Sequence, residues 1–194
     1  AGLNNSGSLD VSAAGFNIDA AAQAAYTGNA ASLLRVNASG VVVATNSGTI
    51  SLTTGAELAV EGGVLIITNS SGNFTFGANG NNAGAGFTNI GGTVWFSQPF
   101  QSRGRFSRFA MHGGSLTLLG GGGVFETSND QERQFLVNGG NASLGDFSIS
   151  RTLNGVSQAG LVLSNGVVNV TSLRVGVANA AAGTTIAGGV LTNT

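Results

Sequence analysis

A pair of small residues, usually Gly-Gly, recurs along this chain just before a short apolar segment, and no other feature constrains the fold as tightly. It stands as Gly62-Gly63-Val64-Leu65-Ile66-Ile67, Gly91-Gly92-Thr93-Val94-Trp95-Phe96, Gly113-Gly114-Ser115-Leu116-Thr117-Leu118 and Gly139-Gly140-Asn141-Ala142-Ser143-Leu144. It continues as Asn165-Gly166-Val167-Val168-Asn169-Val170 and Gly188-Gly189-Val190-Leu191, with a fainter copy at Ser39-Gly40-Val41-Val42-Val43. The second members, Gly40, Gly63, Gly92, Gly114, Gly140, Gly166 and Gly189, follow one another at intervals of 22 to 29 residues. A loose period of this length with a strand at its start is the mark of a solenoid, whose repeats bury their apolar faces only by stacking on one another. Each coil must turn corners, and Gly or Asn supplies the backbone freedom that corners need.

Between the marks lie further strand-like pieces, among them Asn73-Phe74-Thr75-Phe76, Asp146-Phe147-Ser148-Ile149-Ser150 and Ser172-Leu173-Arg174-Val175. Apolar residues alternate there with small polar ones, as in a strand with one buried face. The spacing predicts an all-β protein, a right-handed parallel β-helix of about seven coils. With strands roughly 4.8 Å apart it would stand about 35 Å tall. An antiparallel β-sandwich also repeats its turn signals, roughly every 8 to 12 residues. The constant phase of the mark and the scarcity of Asn-Gly hairpin signals favour the solenoid.

Composition agrees. Only 8% of the 194 residues are charged, far below the roughly 25% usual in soluble domains. Ser, Thr and Asn can ladder up an outer wall without the repulsion that stacked like charges would bring. The net charge of -1 argues against nucleic acid as a partner, and no apolar run approaches the roughly 20 residues of a spanning helix. The absence of Cys excludes disulfides, thiolate metal sites and thiol nucleophiles. No cofactor and no metal are expected.

Residues 1–36 read differently and are expected to form an N-terminal cap or docking segment ahead of a solenoid over 37–194. Asp19-Ala20-Ala21-Ala22-Gln23-Ala24-Ala25-Tyr26 places an N-cap residue before strong helix formers, which predicts a short helix. At the other end, Gly188-Gly189-Val190-Leu191 opens a fresh coil. The expectation is either a longer solenoid or an end covered by another subunit. Ala20, Ala24, Tyr26, Val190 and Leu191 are therefore the candidate assembly residues.

One stretch departs from the simple repeat. Residues 95–112 hold the sole Trp, Pro, Met and His, together with Arg103, Arg105 and Arg108. Trp and Arg are favoured at binding hot spots, which makes Trp95, Arg103, Arg105 and Arg108 candidates for contact with a glycan or a protein partner. The competing reading stacks Phe96, Phe106 and Phe109 inside the solenoid with the Arg side chains solvated outside. The acidic segment from Glu126 to Glu132 lacks an Asp-Asp pair and fits a solvated loop better than the two set carboxylates of a glycosidase. No catalytic residue is assigned, and the chain is not expected to be an enzyme.

The marks Gly62-Gly63-Val64-Leu65, Gly113-Gly114-Ser115-Leu116-Thr117-Leu118 and Gly188-Gly189-Val190-Leu191-Thr192-Asn193 resemble autotransporter-associated β-strand repeats, over roughly residues 37–194. The resemblance implies export, a right-handed β-helix and a role in bacterial adhesion, surface coats or fibres. It carries over no functional residue. The expected function is an extracellular structural or adhesive solenoid that self-assembles as a homo-oligomer or polymer. The alternative is a β-helix that binds or cleaves a glycan.

Overall fold

The computed structural model describes residues 3–12, 15–18, 26–45, 50–53, 55–68, 74–76, 86–97, 100–102, 108–119, 123–127, 132–151, 158–175 and 181–194. Among these residues every strand pairing is parallel, and a lone antiparallel bridge joins Asn37 to Gly62. The backbone winds as a β-solenoid whose strands stack in three columns.

The first column begins with Leu3–Asn5, Tyr26–Gly28, Ile50–Leu52, Phe74–Phe76 and Phe100–Ser102. It goes on through Gly123–Thr127, residues 147–151 and residues 173–175. The second column holds Ser8–Val11, Leu33–Asn37, Glu57–Glu61, Gly86–Asn89 and Arg108–Met111, then residues 135–137, residues 161–163 and Ala181–Ile186. The third holds Gly15–Ile18, Val41–Thr45, Val64–Thr68, Thr93–Phe96 and Ser115–Leu118, then residues 141–143, residues 167–170 and Val190–Asn193. Each column thus has eight rungs among the described residues, which corrects the expected seven coils. Two strands, Glu132–Arg151 and Gln158–Val175, run through all three columns, and their mutual register shifts where they bend, as between Val137 and Asn138 and between Ser143 and Gly145.

The extra coil comes from the N-terminal residues. No helix occurs among the described residues, so the predicted helical cap is also corrected. Ser8–Val11 pairs with Leu33–Asn37, and Tyr26–Gly28 pairs with both Leu3–Asn5 and Ile50–Leu52. Helix propensity is a weak prior beside tertiary pairing. The Tyr26-Thr27-Gly28 end of the alanine-rich run has two strand neighbours to bond, and its extended backbone satisfies both. Residues 19–25 lie outside the described residues.

Inside, side chains form continuous files along the axis. Leu34, Leu58, Phe87, Phe109, Phe135 and Leu161 succeed one another in register, each essentially without solvent contact. The rings of Phe87 and Phe109 stack with centroids 4.5 Å apart, and those of Phe109 and Phe135 at 4.4 Å. A parallel pair of strands sets that offset-stacked spacing unaided, because successive rungs are roughly 4.8 Å apart. The expected burial of Phe96 and Phe109 holds; Phe106 lies outside the described residues.

The recurrent glycines occupy the corner between the second and third columns, and their reason is contact. A Cβ on Gly63 would sit 2.8 Å from the carbonyl oxygen of Gly40, and one on Gly92 would sit 2.7 Å from that of Gly63. The relation repeats upward, Gly114 over Gly92, Gly140 over Gly114, Gly166 over Gly140 at 2.6 Å and Gly189 over Gly166 at 2.9 Å. The same carbonyls accept the first bond of the next strand, as in Val64 N–H to Gly40 O and Thr93 N–H to Gly63 O, both 2.9 Å. A side chain at this corner would displace the carbonyl that starts each rung.

Candidate functional site

The outer walls of the second and third columns differ in kind. On the second column, charged side chains link rungs. Arg35 stands in register above Asp10 and donates to its Oδ1 at 3.2 Å, while its Nε donates to Glu61 on the following rung at 3.2 Å. Arg108 pairs with Glu57 across an intervening rung, where Gly86 lies in register between them. A side chain at Gly86 would begin 3.0 Å from the Glu57 carboxylate, so glycine leaves room for the bridge. These pairs are exposed, with Arg108 at 61% side-chain exposure, and exposed pairs contribute at most about 1 kcal/mol each.

The third column bears no charged residue on any of its eight strands. Its inner positions, among them Val42, Leu65, Val94, Leu116, Ala142 and Val168, are buried in one register file. The alternating outer positions form a second file: Asn17, Val43, Ile66, Trp95, Thr117, Ser143, Asn169 and Thr192. Trp95 is half-buried, flanked in register by Ile66 and Thr117, with exposed Thr93 beside it on its own strand. On the two rungs below the indole, at Ile66 and Val43, the file is aliphatic. Above it the file is hydroxyl and amide.

The predicted contact residues are therefore separated. Trp95 belongs to the third column and Arg108 to the second, where its charge is taken by Glu57. Arg103 and Arg105 lie outside the described residues. Of the candidate assembly residues, Tyr26 is fully buried in the first column, and its hydroxyl accepts from Asn5 Nδ2 at 2.8 Å. Burial pushes its phenol above the ordinary 10.0, against a smaller opposing effect from Asn5. Val190 is exposed and Leu191 half-buried, both on the eighth rung of the third column; Ala20 and Ala24 lie outside the described residues. In the acidic segment, Glu126 and Glu132 fall on strands, while residues 128–131 lie outside the described residues. Among the described residues no three His, Asp or Glu side chains gather as a metal ligand set, and no helix is long and apolar enough to cross a membrane.

The outer file above Trp95 was not singled out from sequence, although a signal for it exists. Val43, Ile66, Trp95, Thr117, Ser143, Asn169 and Thr192 each stand three residues after a recurrent glycine. Seen by phase instead of by neighbourhood, they line up as one file.

No family model, curated protein or solved structure matches this chain.

Proposed function

We propose that this chain is a stretch of an extracellular structural and adhesive β-solenoid of a bacterial surface, wound right-handed, which lengthens by adding copies of itself rung on rung. It is a scaffold and not an enzyme. The reading rests on the uninterrupted parallel pairing through eight rungs. A parallel strand edge recruits further strands by β-augmentation, so the stacking that joins rung to rung can also join copy to copy. The right-handed winding follows the strong general preference of crossovers between parallel strands. Export and surface location follow from the resemblance to autotransporter-associated repeats. Light scattering and negative-stain electron microscopy of the purified chain over a wide concentration range test the proposal. Lengthening rods are the expected result, and a particle that stays at 19.1 kDa throughout would overturn it.

A second reading, a glycan-binding surface, is favoured by one observation, the charge-free outer wall with its single indole. The carboxylates of Asp10, Glu57 and Glu61 are paired with Arg35 and Arg108, which favours binding over cleavage at those three acids.

A further inference from the structure

We propose that the outer file of the third column, from Trp95 through Thr117 and Ser143 to Asn169, is a binding track for one uncharged polysaccharide chain lying along the solenoid axis. This rests on the glycan-binding reading and names its ligand class, its residues and its direction.

Three features of the wall carry it. The first is the placement of the indole. Trp95 alternates with buried Val94 and Phe96, so its ring lies on the outer face, partly covered and partly open to solvent. A large, flat apolar body with one N–H donor suits a ligand that presents both a C–H face and hydroxyl edges, as a pyranose ring does. The second is the state of the polar groups. Elsewhere some short polar side chains are bonded within the protein, as Ser172 is to Asp146 at 2.7 Å, Ser164 to Asn138 at 2.9 Å and Thr53 to the carbonyl of Gly28 at 2.8 Å. The side chains of Thr117, Ser143 and Asn169 make no such bond among the described residues, nor do Thr93 and Asn141 beside them. They face water, which ligand hydroxyls replace at little enthalpic cost. The third is charge. All eight strands of the column are free of Asp, Glu, Lys, Arg and His, so an acidic polysaccharide finds no counter-charge here, whereas a neutral one leaves no charge to desolvate.

The file also sets the direction. Its members succeed one another at the strand spacing of about 4.8 Å, close to the rise of one sugar residue in an extended chain. A ligand along the axis meets one hydroxyl or amide per rung. A ligand laid across the rungs would leave Trp95 after one residue and reach the corner glycines.

The test is isothermal titration of the purified chain with cellohexaose, chitohexaose and mannohexaose, and with polygalacturonate as the acidic comparison. At least one neutral hexaose is expected to bind. Trp95→Ala should weaken it by about tenfold or more, in line with the loss of a hot-spot tryptophan. Ser143→Ala and Asn169→Ala should each weaken hexaose binding without affecting a disaccharide, which is too short to reach from Trp95 to their rungs. Circular dichroism confirms that each variant is folded; if Trp95→Ala fails to fold, Trp95→Phe and the two upper variants still decide the matter. Neutral binding unaffected by Trp95, or binding of polygalacturonate alone, would overturn the track while leaving a glycan-binding protein. Binding to none of the four sugars would overturn both.

Discussion

Replacing Gly114 by alanine isolates what the repeated glycine contributes. Gly114 has φ of 74°, and an added Cβ would meet backbone on the rung beneath: the carbonyl oxygen of Gly92, and at 2.7 Å both the carbonyl carbon of Gly91 and the nitrogen of Gly92. Backbone cannot rotate aside as a side chain can. Two comparisons separate the effects. Gly91 has φ of 81° but nothing within 4 Å of its Cβ position, so Gly91→Ala should cost only the left-handed backbone penalty, about 1 to 2 kcal/mol. Gly7 has open space and no such backbone constraint, so Gly7→Ala should stay within about 0.5 kcal/mol of the parent. Gly114→Ala adds overpacking of about 1 to 3 kcal/mol to the backbone penalty, which totals about 2 to 5 kcal/mol. Because each rung leans only on its neighbours, the loss should also split unfolding into two stages, with the rungs above Gly114 separating from those below. Urea titration followed by far-ultraviolet circular dichroism reads both the midpoint and the loss of cooperativity. The steric account of the corner is wrong if Gly114→Ala costs no more than Gly91→Ala.

Three further outcomes follow from particular contacts. Phe109 is sandwiched between Phe87 and Phe135, so Phe109→Ala should destabilise by about 3 to 5 kcal/mol in urea, and a loss below 1 would contradict the stacked core. Asn89 is fully buried in a file between Val60 and Met111, where its Oδ1 accepts from Gly92 N–H at 2.9 Å and its Nδ2 donates to the carbonyls of Gly92 and Ser115. Asn89→Val should therefore lower stability by about 1 to 3 kcal/mol despite its apolar surroundings, since it orphans a buried N–H; an unchanged thermal midpoint would show those bonds to be dispensable. Tyr26 is the sole tyrosine, so absorbance at 295 nm reports it alone. Its raised pKa means that the neutral phenol is favoured in the folded state. That stability is complete below pH 10.0 and is lost as pH rises through the higher folded value. Ionisation should coincide with alkaline unfolding and vanish in Tyr26→Phe, whereas reversible titration of folded protein near the ordinary value would refute its burial.

The stacked architecture was legible because its cause is steric and local. From the second rung to the eighth, a residue without a side chain stands at the same corner, and that need writes itself into the sequence at Gly40, Gly63, Gly92, Gly114, Gly140, Gly166 and Gly189. The N-terminal strands left no comparable mark. Their conformation is imposed by partners roughly one coil away, as Tyr26 is by Leu3 and Ile50, and alanine-rich segments bias local reading toward helix. The aromatic and arginine-rich stretch misled in a different manner. Nearness in sequence suggested one surface, but the first-column strand Phe100–Ser102 lies between Trp95 and Arg108 and leaves them on separate walls. Arg108 then finds Glu57, a partner 51 residues distant that no local pattern announces. The candidate track was present as phase, three residues after each recurrent glycine, and became visible only once the glycines were known to mark one corner.

Distances between spin labels up the third column address the winding itself. The chain lacks cysteine, so pairs introduced at Asn17 and Ser143, Asn17 and Asn169, and Asn17 and Thr192 can be labelled cleanly. These pairs are five, six and seven rungs apart in one register file. At the parallel-strand spacing their backbone separations should be about 24, 29 and 34 Å, rising by one equal step per coil. Double electron–electron resonance that finds this linear climb confirms the stacked spiral. Separations that fail to grow with each coil, as strands folded back into hairpins would give, contradict it.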